Sequence, residues 1–143
     1  MTASAKPPIW FWIVSGIALL WNVIGVANYL LQVTMSPEAL AALPEAQQQL
    51  LENTPVWANA GFALAVWGGA IGSLFLLIRK SYAVPAFVVS LIGILIQQVY
   101  GVFLSDAWEV LGAGGVVLPL VVLGFGIFLL WFSRKARAER WVY

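Results

Sequence analysis

The side chains in this chain that could do chemistry are neutral ones, set deep inside long apolar runs. Asn22, Asn28, Tyr29 and Gln32 lie in the first run, Asn59 in the second, and Gln97 and Tyr100 in the third. Amides and phenol hydroxyls donate and accept hydrogen bonds without carrying charge, so they suit recognition of a neutral ligand rather than transfer of a proton or group. Their spacing gathers them. On a 3.6-residue helix Asn22, Gly25, Tyr29 and Gln32 fall within a stripe of about 80°, with Asn28 beside it. Ser90, Gly93, Gln97 and Gly101 make a similar stripe, flanked by Tyr100. Counting ~1.5 Å per residue puts Asn22 and Gln97 at roughly 20 and 22 Å from the start of their runs, with Tyr29, Asn59 and Tyr100 nearer the opposite surface.

An amide that faces lipid without a partner loses its hydrogen bonds to water, so these groups must face protein or water. Two readings follow. In one, Asn22 and Gln97 bond to each other between helices, an interaction worth roughly 0.6 kcal/mol. In the other, they line a wet, uncharged pocket that takes a neutral polyhydroxylated or zwitterionic ligand beside aromatic faces such as Trp21 and Trp67.

Other chemistry is excluded by residue type. The chain has no Cys and no His, which removes disulfides, haem, iron–sulfur clusters, histidine-ligated zinc and Cys- or His-based nucleophiles. No acidic or basic side chain lies inside an apolar run, so neither a Schiff-base lysine nor the buried acid of a proton-coupled pump is at hand. The sequence therefore offers no catalytic residue, no metal site and no cofactor, and a non-enzymatic protein is expected.

The elements that position these amides follow from composition. With 62% hydrophobic and 9% charged residues, 143 residues cannot hide so much apolar surface in a water-soluble fold, and a lipid bilayer is the implied partner. Four spans are expected, at about 9–33, 56–78, 82–104 and 115–133. The first follows Pro7 and Pro8, which suit a helix start, and its Trp10, Phe11 and Trp12 suit an interfacial belt. Segment 36–53 is too polar to span. Ser36 as N-cap, Pro37 at the first helical position and a break at Pro44 make it one kinked or two short amphipathic helices. Its Leu40, Leu43, Leu50 and Leu51 would rest on the membrane or cover the mouth of the bundle. Asp106, Trp108 and Glu109 mark the turn between spans three and four. The fold class expected is an all-α four-helix transmembrane bundle forming a single domain over 1–143.

All seven Lys and Arg residues sit at Lys6, at Arg79 and Lys80, or in the 134–140 tail, whereas five of the six acidic residues lie in the other connections. Because cytoplasmic loops retain basic residues, both termini and the Arg79/Lys80 turn are expected on the cytoplasmic side. The four positive charges of the tail read as an anchor to anionic headgroups, not as a nucleic-acid footprint.

In lipid, small residues let helix backbones approach. Gly61, Gly68, Gly69 and Gly72 give the second span such faces, either to pack within one chain or to meet a second copy or a membrane partner. A weak internal echo with an offset of 75 places Ser15 on Ser90 and Asn22 on Gln97, and the two descending helices each end in an Arg-Lys pair. This would be a parallel repeat of the kind found among transporters.

The stretch "PVWANAGFALAVWGGAIGSLFLLIRKSYAVPAFVVSLIGILIQQVYGVFLS", residues 55–105, resembles an uncharacterised family of small bacterial four-span membrane proteins loosely labelled sugar transporter. The GGxxG step and the Arg79-Lys80 turn are its clearest marks. The resemblance implies residence in a bacterial inner membrane and passage of a small neutral solute such as a sugar. It carries no binding residue with it. A structural or accessory subunit acting through helix–helix contacts is the alternative expectation.

Overall fold

A computed structural model describes residues 5–104, 109, 112 and 114–143. The described residues are predominantly helical, and no strand occurs among them. Helix α1 (Ile9–Val33) begins after the extended backbone of Pro8 and closes where the Thr34 N–H returns to the Leu30 carbonyl. Helices α2 (Pro37–Ala41) and α3 (Glu45–Asn53) follow, α2 capped by Ser36 Oγ accepting from the Ala39 N–H at 3.1 Å. Helix α4 (Val56–Leu77) starts after Pro55, and α5 (Ala83–Gln98) runs on into a wider π-helical turn, Val99–Leu104. Helix α6 (Gly114–Ala138) completes the chain and continues through most of the basic tail, five residues past the expected end of the span. Asp106 and Trp108 lie outside the described residues.

Four segments are long and apolar enough to cross a membrane: Ile9–Val33, Val56–Leu77, Ala83–Gly101 and Val117–Ala138. They pack as an all-α four-helix bundle whose outward faces are clad in exposed Ile, Leu, Val and Trp. Such a surface is solvated by hydrocarbon, and the protein is an integral membrane protein. The α2–α3 segment forms two short helices broken at Pro44, as its residue types imply. These two helices pack on one another, bury no residue, and leave Leu40, Leu43, Leu50 and Leu51 half-buried.

Close approach, not hydrophobic exclusion, holds α4 against its neighbours. Gly61 and Gly68 face α5 and Gly93 faces α4: a methyl group at 68 would stand 3.0 Å from the Ser90 nitrogen. Gly72 receives the edge of the Phe87 ring, and Gly69 receives the Asn22 side chain from α1. All four glycines of the expected packing set therefore meet neighbours within the chain. Helices α1 and α6, by contrast, meet only through large side chains. Phe11 stacks on Phe132 with ring centroids 5.8 Å apart, and Trp21 stacks on Phe125 at 5.0 Å.

Ala5, Tyr143 and the α4–α5 turn lie together at one end of the bundle. Arg79 and Arg140 each adopt a left-handed backbone, with φ 59° and 61°. Each closes its helix in the same way: the Lys80 N–H reaches the Phe75 carbonyl at 2.8 Å and the Trp141 N–H reaches the Ala136 carbonyl at 2.8 Å. This is the six-to-one closure of a Schellman-type cap. Arg79 is therefore matched by Arg140, and not by Arg134 as the repeated Arg-Lys pairs implied. The reason is that α6 does not stop at its first basic residues.

The second of these turns folds Trp141, Val142 and Tyr143 back against the bundle. Trp141 and Val142 are buried with Phe11, Phe132 and Leu76. The Arg79 guanidinium fastens them, with Nε donating to the Trp141 carbonyl at 2.7 Å and a terminal nitrogen donating to the Ala5 carbonyl at 2.7 Å. The Tyr143 N–H donates to the Arg79 carbonyl and the Tyr143 carbonyl accepts from Ser81. Arg79 and Lys80 both lie over the Tyr143 ring. Arg79 and Lys80, expected as a basic turn between two spans, thus also form the clasp of an aromatic plug.

Candidate functional site

Because α1 and α6 are held apart by their large side chains, a cavity of about 350 Å³ remains between all four spanning helices. Its walls are Trp21, Asn22, Ile24, Gly25 and Asn28 from α1, Phe62, Ala65 and Val66 from α4, Phe87, Ser90, Ile94 and Gln97 from α5, and Leu118, Val122, Phe125, Gly126 and Leu129 from α6. A second cavity of about 160 Å³ adjoins it and shares Gln97, Leu118 and Val122. Gln97 stands at the junction of the two. The plug of Phe11, Phe132 and Trp141 closes the basic end below them.

Three of the seven expected site residues line the main cavity: Asn22, Asn28 and Gln97. The other four do not. Tyr29 meets the Phe62 ring edge-on at 5.4 Å, and Tyr100 meets Trp57 edge-on at 5.9 Å. Gln32 and Asn59 are half-buried away from the cavity. The π-helical turn starting at Val99 explains Tyr100, since a stripe extrapolated at 3.6 residues per turn loses register there. Trp67, expected as an aromatic wall, is an exposed outward residue. Its place is taken by Phe62, Phe87 and Phe125.

Asn22 and Gln97 are not bonded to each other. Asn22 Nδ2 donates to the Ala18 carbonyl at 2.8 Å and to Ser73 Oγ at 3.4 Å, and Ser73 Oγ donates to the Gly69 carbonyl at 2.8 Å. The Asn22 carboxamide is nested on Gly69, in the space that a Cβ there would fill. Its amide nitrogen is thus spent on α1 and α4, and the residue is 8% exposed. Ser90 Oγ is likewise spent, donating to the Ala65 carbonyl at 2.6 Å. The Gln97 side chain has no hydrogen-bond partner among the described residues.

The offset-75 pairs come out in similar places but with different partners. Both serines are buried and both amides line the cavity, yet Ser15 Oγ has no partner among the described residues whereas Ser90 Oγ does. Sequence reasoning passed over Ser73, which is an ordinary small residue until α1 crosses it. It also passed over Gln98, whose Nε2 donates to the Pro119 carbonyl at 2.6 Å and ties α5 to α6. A glutamine beside another in an apolar run was the available signal.

No acidic or basic side chain lines the cavity. Among the described residues no group of three or more Asp and Glu side chains converges as a metal would require. The arrangement offers two carboxamides without a partner among the described residues, Gln97 half-buried and Asn28 exposed, in an otherwise apolar, aromatic chamber. That geometry can hold and orient a neutral molecule.

Gly69→Ala is expected to cost about 1 kcal/mol, because the new methyl displaces the Asn22 carboxamide into a poorer rotamer. Combining it with Asn22→Ala restores much of that loss, since the clash goes with the amide. Thermal unfolding of the two single variants and the double variant in detergent measures the coupling. Additive losses would contradict the nesting described here.

Comparison with family models, curated proteins and solved structures returned no match in any of the three.

Proposed function

We propose that this protein binds a neutral small molecule in the chamber between its four spanning helices, with Gln97 as the group that recognises it. The observation that supports this reading is the Gln97 carboxamide, which faces the cavity with no hydrogen bond to any described residue. Gln97 is half-buried, and its unpaired carboxamide is the group on the wall most able to take up a hydrogen bond from a bound molecule. The junction of two cavities gives the molecule room on either side of that amide. The reading places the basic end on the cytoplasmic face of a bacterial inner membrane, where the Arg79 clasp keeps the chamber shut. Passage of the solute would then require release of Trp141–Tyr143. The accessory-subunit reading loses support, because Gly61, Gly68, Gly69 and Gly72 are used within the chain.

Gln97→Leu tests the proposal. Screened by thermal stabilisation against a panel of neutral solutes, the wild-type protein is expected to respond to at least one member. The variant should melt at or slightly above the unliganded wild type and lose that response, with affinity about fivefold to tenfold weaker. A variant that keeps the full response overturns the assignment of Gln97.

A further inference from the structure

Building on that reading, we infer that the ligand is a lipid-dissolved molecule with a single hydrogen-bonding head, a carbonyl or a hydroxyl on an apolar body, and that it reaches the chamber sideways between α1 and α6. Four observations converge on this. First, the donors of the deep wall are already committed: the Asn22 amide nitrogen to Ala18 and Ser73, and the Ser90 hydroxyl to Ala65. Two lining carboxamides have no hydrogen-bond partner among the described residues, Gln97 half-buried within the chamber and Asn28 exposed beside Ile24. A sugar brings several hydroxyls, each of which would be stripped of water with nothing to replace it. A zwitterion would bring two charges into a chamber without a counter-charge. One carbonyl or hydroxyl is what one carboxamide can satisfy.

Second, the remaining wall is hydrocarbon and aromatic, with Phe62, Val66, Phe87 and Ile94 behind the amide. Third, the α1–α6 seam is the weakest in the bundle, since its two backbones are kept apart along their length by ring-on-ring contacts. Fourth, the residues that line the chamber at this seam also face outward. Ile24 is 52% and Leu118 is 59% exposed, on the side of the Trp21–Phe125 stack away from the plug. Those faces lie within the apolar girth of the bundle, so the mouth opens onto hydrocarbon. The opposite seam, α4 against α5, is sealed by Gly61, Gly68 and Gly93 at backbone contact. A molecule already dissolved in the bilayer meets an opening, whereas one in water on the basic side meets the Arg79 clasp.

The test uses the full chain in phosphatidylcholine nanodiscs and a farnesol analogue carrying a diazirine, with unlabelled farnesol, glucose and trehalose as competitors. The expected result is labelling of peptides containing Trp21, Ile24 or Leu118, competed by farnesol and not by either sugar. Labelling should require about fivefold more probe in Gln97→Leu. The double variant Ile24→Trp/Leu118→Trp, which fills the mouth at two exposed and therefore tolerant positions, should slow labelling while leaving the melting temperature unchanged. Competition by glucose or trehalose, with none by farnesol, would overturn the lipid-soluble class and leave the neutral-solute chamber standing. Labelling that neither competitor nor Gln97→Leu alters would overturn both. Labelling at an unchanged rate in the double tryptophan variant would overturn the lateral route alone.

Discussion

Leucine at position 93 prevents the four-helix bundle from assembling, and alanine there weakens it by about 2–3 kcal/mol. A methyl group on Gly93 would lie 2.5 Å from both the Ala65 nitrogen and the Gly61 carbonyl oxygen. Those are backbone atoms of α4, and they cannot turn aside as a side chain can. The helices must separate, and with them go the Ser90 to Ala65 bond and the contacts at Gly61 and Gly68. Overpacking of a well-fitted interface typically costs 1–3 kcal/mol, and this site sits at the upper end because the obstacle is main chain. Gly124→Ala is the matched control. Nothing lies within 4 Å of where its methyl would stand, so alanine only lowers the conformational freedom of the unfolded helix and should stabilise by up to about 1 kcal/mol. Thermal unfolding in detergent should therefore move in opposite directions for the two Gly→Ala changes. Equal shifts would mean that α4 and α5 do not meet as described.

The second large effect is expected at Arg79. Arg79→Ala removes the two hydrogen bonds to the Trp141 and Ala5 carbonyls and one of the two cations over Tyr143. Hydrogen bonds from charged donors are worth about 1.5–3 kcal/mol each, but the side chain is only half-buried, so a total near 2 kcal/mol is expected. Arg79→Lys should recover little of it, because one ammonium cannot span both carbonyls as the guanidinium fork does. Arg79→Gly should fall between alanine and wild type. It loses the clasp but relieves the left-handed backbone, a conformation costing a non-glycine residue roughly 1 kcal/mol. Amide hydrogen exchange at Trp141 and Tyr143 reads the outcome directly. In Arg79→Ala it should accelerate there ahead of the rest of α6. Protection unchanged from wild type would show that the aromatic contacts hold the plug unaided.

The spanning helices were legible in the sequence because their cause is local. Apolar runs bounded by Pro8, Ser36-Pro37 and Pro55 define their own ends, and the Ser36 cap formed as its residue type requires. What depended on two distant segments meeting was not legible. The stripe on α1 found Asn22 correctly, yet its partner is Ser73, because the α1–α4 crossing brings Gly69 and not α5 against the amide. Tyr100 belonged to the stripe only while α5 kept 3.6 residues per turn, and the π-helical turn ended that. The left-handed Arg79 and Arg140 could not be anticipated, since arginine carries no propensity for that conformation. With them went the plug, since residues 141–143 lie beyond the basic tail and carry no local signal of a packed element. Gln97 lines the cavity for the simplest reason: an amide in the middle of an apolar helix is turned away from lipid.

The central claim is that the chamber beside Gln97 holds a neutral molecule. Native mass spectrometry of the protein purified in mild detergent measures this most directly, comparing wild type with Gln97→Leu. The account predicts a wild-type population heavier than the chain by one neutral, organic-extractable molecule, and a Gln97→Leu population largely at the bare mass. Bare mass for both proteins, or the same adduct retained equally by both, would contradict it.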